Sequence, residues 1–346
     1  MMGYMEERSE ELLSLQNVYN ASPSEIAIGL IEVPEVLRLN SISQTSGVSL
    51  SKFGLCNYKY TKLDHSVGIA LILDKFVKDN REIITGFLHH IASPAFPEAV
   101  KLMRQEIEKL SNYDQVVGSD GLFEFVLNNK ISINDVCDAS IYPLITNANP
   151  KLSVVTLERL LHTAYYEKLC SIDEIKELYD DIVIVPNEES QPEFAFETPK
   201  NGVRFSKISM EIGKKFRSYE AKITLQIIAD LLDMMLRRGE LSSSDLYQFG
   251  DRAIQEIGVS SSDKQISDGW KELLKLDKVY TRFTEIQGEY CKKIITENGY
   301  VDPLVRIRGG YMRASKYDPI LAREIEAYMN SDTDLYAYTL NLEYLK

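Results

Sequence analysis

The chain has 346 residues, 44% of them hydrophobic and 26% charged, which is the composition of an ordinary globular protein with enough material for a large core. Its formal net charge of −13 argues against a dedicated nucleic-acid binder, because phosphate backbones are normally engaged through a basic face. Four widely spaced cysteines form no CxxC pair, no apolar run is long enough to span a bilayer, and the acidic start MMGYMEERSEELL lacks the basic-then-apolar order of a signal peptide; the expectation is a cytoplasmic protein with reduced thiols and no membrane partner.

In chain order, most of the sequence reads as helices joined by short loops, with no internal repeat and no Pro/Gly/Ser-rich linker. Residues 66–78, SVGIALILDKFVK, are apolar nearly all round, as a buried central helix should be. GFLHHIASPAF, at 86–96, reads as the end of a second buried helix. Ser171 and Glu174 form an S-x-x-E capping box that opens the helix IDEIKELYDD. Residues 181–197, DIVIVPNEESQPEFAFE, alternate apolar positions around a polar turn and predict a β-hairpin. Residues 219–238 predict a long helix with Ile223, Ile227, Leu231 and Met234 on one stripe, stopped by two arginines and Gly239. From about residue 300 the chain is rich in tyrosine and predicts a small α/β appendage, or a strand that packs on the hairpin. The expected organisation is a helical core with the hairpin over 1–200, a helical extension over 201–299 and the appendage over 300–346.

The chain has four histidines, and three of them, His65, His89 and His90, fall close together in segments that read as helices or helix ends. Adjacent residues on a helix point about 100° apart, so His89 and His90 share a site only along a helix edge. Alone, His65 reads as a buried histidine that caps or bridges helices.

The segments YTKLDHSVGIALIL and ITGFLHHIASPAFPE together resemble the HD-domain phosphohydrolase superfamily, in its deoxynucleoside-triphosphatase-like branch. That pattern looks like TR-x-x-HS-x-G followed by LLHD-I-x-x-P. A looser third likeness is IYPLITNANPKLSVVTLERLLHTAYY, and the resemblance covers roughly residues 35–200. It implies an all-α HD-type helical bundle with a metal site. His65 matches the first metal-ligand histidine and His89 the His of the HD pair. The Asp of that pair is replaced by His90, and the final metal-binding Asp aligns with Val155. Lys62 stands where the family carries Arg, and Glu98 where it often carries a histidine near the phosphates.

These replacements remove the carboxylates that hold two cations together, so a two-metal cluster is disfavoured. The remaining set, His65, His89 and His90, suits at most one divalent transition metal; no cofactor is named by the sequence. His89, His90 and Glu98 are the candidate catalytic residues, and Lys62, Asp64 and His162 the candidate ligand contacts. For Glu98 the bland alternative is a favourable charge in a helix's first turn, and for Lys62 a surface lysine. Three readings follow, in this order: a protein with a pocket for a phosphorylated or nucleotide-like small molecule that has lost two-metal hydrolysis; an enzyme repurposing the imidazoles with one metal or as acid and base; and an active phosphohydrolase. The expected partner is a small anionic or polar ligand. The C-terminal tyrosines Tyr328, Tyr336, Tyr338 and Tyr344 read as packing or as a homodimer contact.

Overall fold

A computed structural model describes residues 9–19, 24–104, 106–107, 109–294, 299–331 and 335–345. The first eight residues of the acidic start lie outside them. The helices that position the site are α1 (Glu10–Val18), α2 (Lys62–Phe76), α3 (Asn80–Phe87), α4 (Val154–Tyr166), α5 (Ile172–Asp180), α6 (Pro199–Phe216), α7 (Tyr219–Arg237), α8 (Asp251–Val259), α9 (Lys264–Leu273) and α10 (Pro319–Met329). None of the helices is long and apolar enough to cross a membrane, among the described residues.

The local signals explain these helices. Thr61 and Asp64 form a capping box at the start of α2, and Ser171 and Glu174 form the one anticipated for α5. Helix α7 ends at Arg237, and Gly239 takes a left-handed φ of +74° just beyond. Helix α2 is buried on every side over most of its length, because α3 and α4 both pack on it.

The all-α expectation is overturned: about 55% of the described residues are helical, and two β-sheets complete an α/β fold. Strands β1 (Ile182–Pro186) and β2 (Pro192–Phe196) pair antiparallel where the hairpin was expected. The side chain of Asn187 closes their turn by accepting from the backbone N–H groups of Glu189 and Gln191. The hairpin does not stand alone, however. Strand β2 pairs in parallel with β5 (Leu304–Ile307), and β5 pairs antiparallel with β6 (Gly310–Arg313), giving the order β1-β2-β5-β6. A second sheet unites β3 (Tyr280–Arg282), β4 (Tyr290–Lys293) and β7 (Tyr336–Thr339) in the order β3-β7-β4. A two-stranded hairpin is marginal in water, and Phe194, Ala195 and Phe196 are all fully buried, so a lone inserted hairpin would have left apolar surface uncovered.

Burial resolves into two main apolar clusters. One gathers α2 to α6 together with Val301, Val305, Leu321 and Ile325. The other gathers α7 and α9 with Val48, Phe96, Tyr290, Ala337 and Leu342. Phe216, at the end of α6, packs against both. The chain therefore contributes to each core from several places, and neither core follows a division at residues 200 or 300.

Candidate functional site

The site is built on α2 and α4, which pack against each other. Lys62 and His65 lie in the first turns of α2, and both are buried. Asp64 is buried too, but its carboxylate accepts from the backbone N–H of Thr61 at 2.9 Å and from its hydroxyl at 2.7 Å. Asp64 thus caps the helix and does not line the cavity described below, which corrects its reading as a ligand contact.

Two adjacent stripes of α4 divide the work. Glu158 and His162, four residues apart, face α2; Val155, Arg159 and Thr163 face open space. Glu158 is fully buried between His65 and His162. One carboxylate oxygen meets Nδ1 of His65 and accepts from the Tyr60 hydroxyl at 2.5 Å; the other lies 2.6 Å from Nδ1 of His162. Burial alone would raise this carboxyl, but His162 and His65 hold it down at about 2. An ionised carboxylate only accepts, so Nδ1 of His65 carries the proton and its Nε2 keeps the lone pair, without a hydrogen-bond partner. His162 is further fixed by the Tyr19 hydroxyl at 3.1 Å and by the stacked ring of Tyr60, whose centroid is 4.8 Å away.

His89 and His90 lie in a short 3₁₀ turn, Leu88–His90, directly after α3. Arg38 secures the following loop by donating to the carbonyl oxygens of Ile91 and Ser93 at 3.1 and 2.8 Å. The imidazole rings do adjoin: His65 to His90 is 5.2 Å between centroids, and His89 to His90 is 4.6 Å. Burial, with His65 and Lys62 nearby, pulls His89 down to about 4, and burial pushes His90 well below its ordinary value. Burial lowers His65 as well, so all three stay neutral near pH 7.

The donor set does not fit the single transition metal considered above. Imidazole nitrogens must reach a common point at about 2.0–2.1 Å. Here His89 meets His90 edge to face and His65 is tilted 39° to His90, and among the described residues no group of three His, Cys, Asp or Glu side chains is placed to hold an ion. Nor do all three histidines line open space: His65 and His162 are sealed beneath Glu158 and the tyrosines, and only His90 reaches the cavity wall.

A cavity of about 730 Å³ lies over α4. Lys62, His90, Glu98 and Val155 line it, as do Arg159, Lys222, Tyr58 and Tyr60. Glu98 sits in the first turn of the short helix Pro97–Val100 and pairs with Lys101 at 2.8 Å. Lys62 has no ion pair within 4 Å among the described residues; burial lowers its ammonium to about 8, against the pull of Glu98. The Arg159 guanidinium likewise has no hydrogen-bond or ion-pair partner among the described residues, although Glu158 and Glu98 act on it from a distance.

Comparison with known proteins adds a fold. No family model matches the chain, and no curated protein matches it. Among solved structures it is similar to a hypothetical protein from Aquifex aeolicus, with a TM-score of 0.56 over 91% of this chain and 92% of that one. The two share 14% sequence identity, so the likeness is one of fold and carries no function.

Sequence reasoning missed Glu158 and Arg159. The only signal for Glu158 is its spacing of four from His162, which places both on one helix face. Arg159 had its own signal, one turn beyond Val155 on a helix already assigned to the site.

Proposed function

We propose that this chain is a divergent HD-superfamily protein that binds a small phosphorylated or nucleotide-like molecule in the cavity over α4, without two-metal hydrolysis. A single observation carries the reading: Lys62 and Arg159, two cations with no ion-pair partner among the described residues, line one cavity in a protein of net charge −13. A buried cation without a counter-charge costs several kcal/mol, and an anionic ligand offsets that cost. Arg159 supplies a planar fork suited to a phosphate and Lys62 a point charge. The unpartnered Nε2 of His90 adds one polar contact, and Tyr58 an aromatic wall. The neutral imidazoles and the carboxylate committed to His65 and His162 give no support to a paired-cation mechanism. A cytoplasmic location, where phosphorylated small molecules are abundant, is part of the proposal.

Titration of the purified protein with nucleotides and inorganic phosphate, followed by calorimetry and thermal unfolding, tests this. Binding should raise the melting temperature, and Lys62→Gln or Arg159→Gln should weaken it on the order of tenfold or more. Absence of binding by the wild-type protein sinks the proposal. Hydrolysis of dGTP with Mg²⁺ or Mn²⁺, lost in His89→Ala, would restore the hydrolase reading instead.

A further inference from the structure

A second, smaller cavity of about 220 Å³ adjoins the first, and Arg159, Phe216 and Lys222 line both. Its far wall is formed by Arg217, at the C-terminal end of α6, with Tyr328 of α10 and the backbone around Tyr300. Three cations therefore surround this space, and among the described residues none that lines it carries a carboxylate. In a chain with 52 acidic and 39 basic side chains, such a wall is a marked local reversal of charge.

Arg217 supplies the second observation. It is only 8% exposed, and its Nε is buried without a hydrogen-bond partner. One Nη donates to the Ser331 hydroxyl at 3.3 Å, and the guanidinium lies over the Tyr328 ring at 4.8 Å. Tyr328 is held in turn, since its hydroxyl donates to the carbonyl of Gly299 at 3.2 Å. The arginine is fixed in place by an aromatic face and a neutral hydroxyl, with no carboxylate ion-paired to it among the described residues. A guanidinium N–H left unpartnered in a buried position is destabilising unless an acceptor arrives.

We infer that the smaller cavity is a second anion subsite, anchored by Arg217 and joined to the first through Arg159 and Lys222. The molecule recognised then carries two phosphate-like groups, one toward Lys62 and the other toward Arg217. The second half of this inference rests on the proposed function; the existence of the subsite does not.

Inorganic phosphate serves as the probe in solution, and tungstate, its electron-dense analogue, in crystals of the wild-type protein. Two phosphates should bind per chain. Arg217→Gln should remove one and Lys62→Gln the other, and tripolyphosphate should bind Arg217→Gln on the order of tenfold more weakly than wild type. If Arg217→Gln does not fold, tungstate peaks beside both Lys62 and Arg217 in the wild-type protein report the same result. One phosphate, lost in Lys62→Gln and untouched in Arg217→Gln, overturns the subsite while leaving the proposed function standing. One phosphate lost only in Arg217→Gln upholds the subsite and removes the proposed function. No bound phosphate and no tungstate peak overturns both.

Discussion

At Gly68 an added methyl would stand 2.2 Å from a carboxylate oxygen of Glu158, closer than any atom can be accommodated without a shift. The residue follows His65 by three positions on α2, and its missing side chain is the space that Glu158 fills. The expected sign of Gly68→Ala is therefore opposite to the helix-propensity rule. Alanine favours a helix interior by about 1 kcal/mol over glycine, but overpacking costs about 1–3 kcal/mol. Displacing a buried carboxylate from its donors adds about 1–3 kcal/mol more. Gly68→Ala should lower stability to chemical denaturant by roughly 1–5 kcal/mol; an unchanged or raised midpoint would show that Glu158 does not pack here. The H-S-x-G spacing is legible in the sequence. Its physical reason is not, because the group that needs the space arrives from α4. The same separation along the chain hides why Lys62 and His90 line the cavity while His65 and His162, equally visible in the sequence, are occupied by Glu158 and closed off from it.

The helices were legible because their signals are local: a cap, an apolar period of 3.6 and a glycine stop all lie within one segment. The strands were mostly not. Strands β3 to β7 are three or four residues long, too short for alternation to stand out, and β3 is exposed throughout. What makes β5 a strand is its parallel pairing with β2, where Ala195 meets Leu304 and Phe196 meets Val305. That sheet is also pinned by charge. Arg313 of β6 grips both carboxylate oxygens of Glu193 in β2, at 2.6 and 2.9 Å, and reaches Glu188 in the hairpin turn. Glu193 is fully buried and also accepts from the backbone N–H of Leu152 and from Asn187. Removing one partner of a buried pair costs about 3–5 kcal/mol, because the other charge is left uncompensated. Arg313→Met should destabilise the protein by that amount in equilibrium unfolding, and Arg313→Met with Glu193→Gln should be less destabilised than the single variant. A single variant within about 0.5 kcal/mol of wild type would mean that the pair does not tie the sheet together.

Across the whole molecule the larger cavity lies at the seam between the two cores: Val155 packs with the first, Val48 and Leu225 belong to the second, and Phe216 touches both. A ligand held there contacts both cores at once, so its binding and the stability of the fold are coupled, and Lys62 makes that coupling depend on pH. Burial lowers the Lys62 ammonium from its ordinary 10.5 to about 8. Below the lower value the lysine is protonated in both folded and unfolded chains, and the folded state bears the cost of a buried cation. As pH rises from about 8 toward 10.5 the folded protein releases this proton before the unfolded chain does, so Lys62 makes the ligand-free protein relatively more stable across that window. A bound anion reverses the preference by holding the ammonium charged. Anion affinity should therefore fall as pH rises through about 8, with proton uptake on binding in that range. Sulfate is the suitable probe, since its own charge is constant over these conditions. Calorimetric titrations in buffers of different ionisation enthalpy should show the affinity loss and the proton uptake in the wild-type protein, and neither in Lys62→Gln. A sulfate affinity that is flat or rising through this range in the wild-type protein would show that Lys62 does not carry the anion.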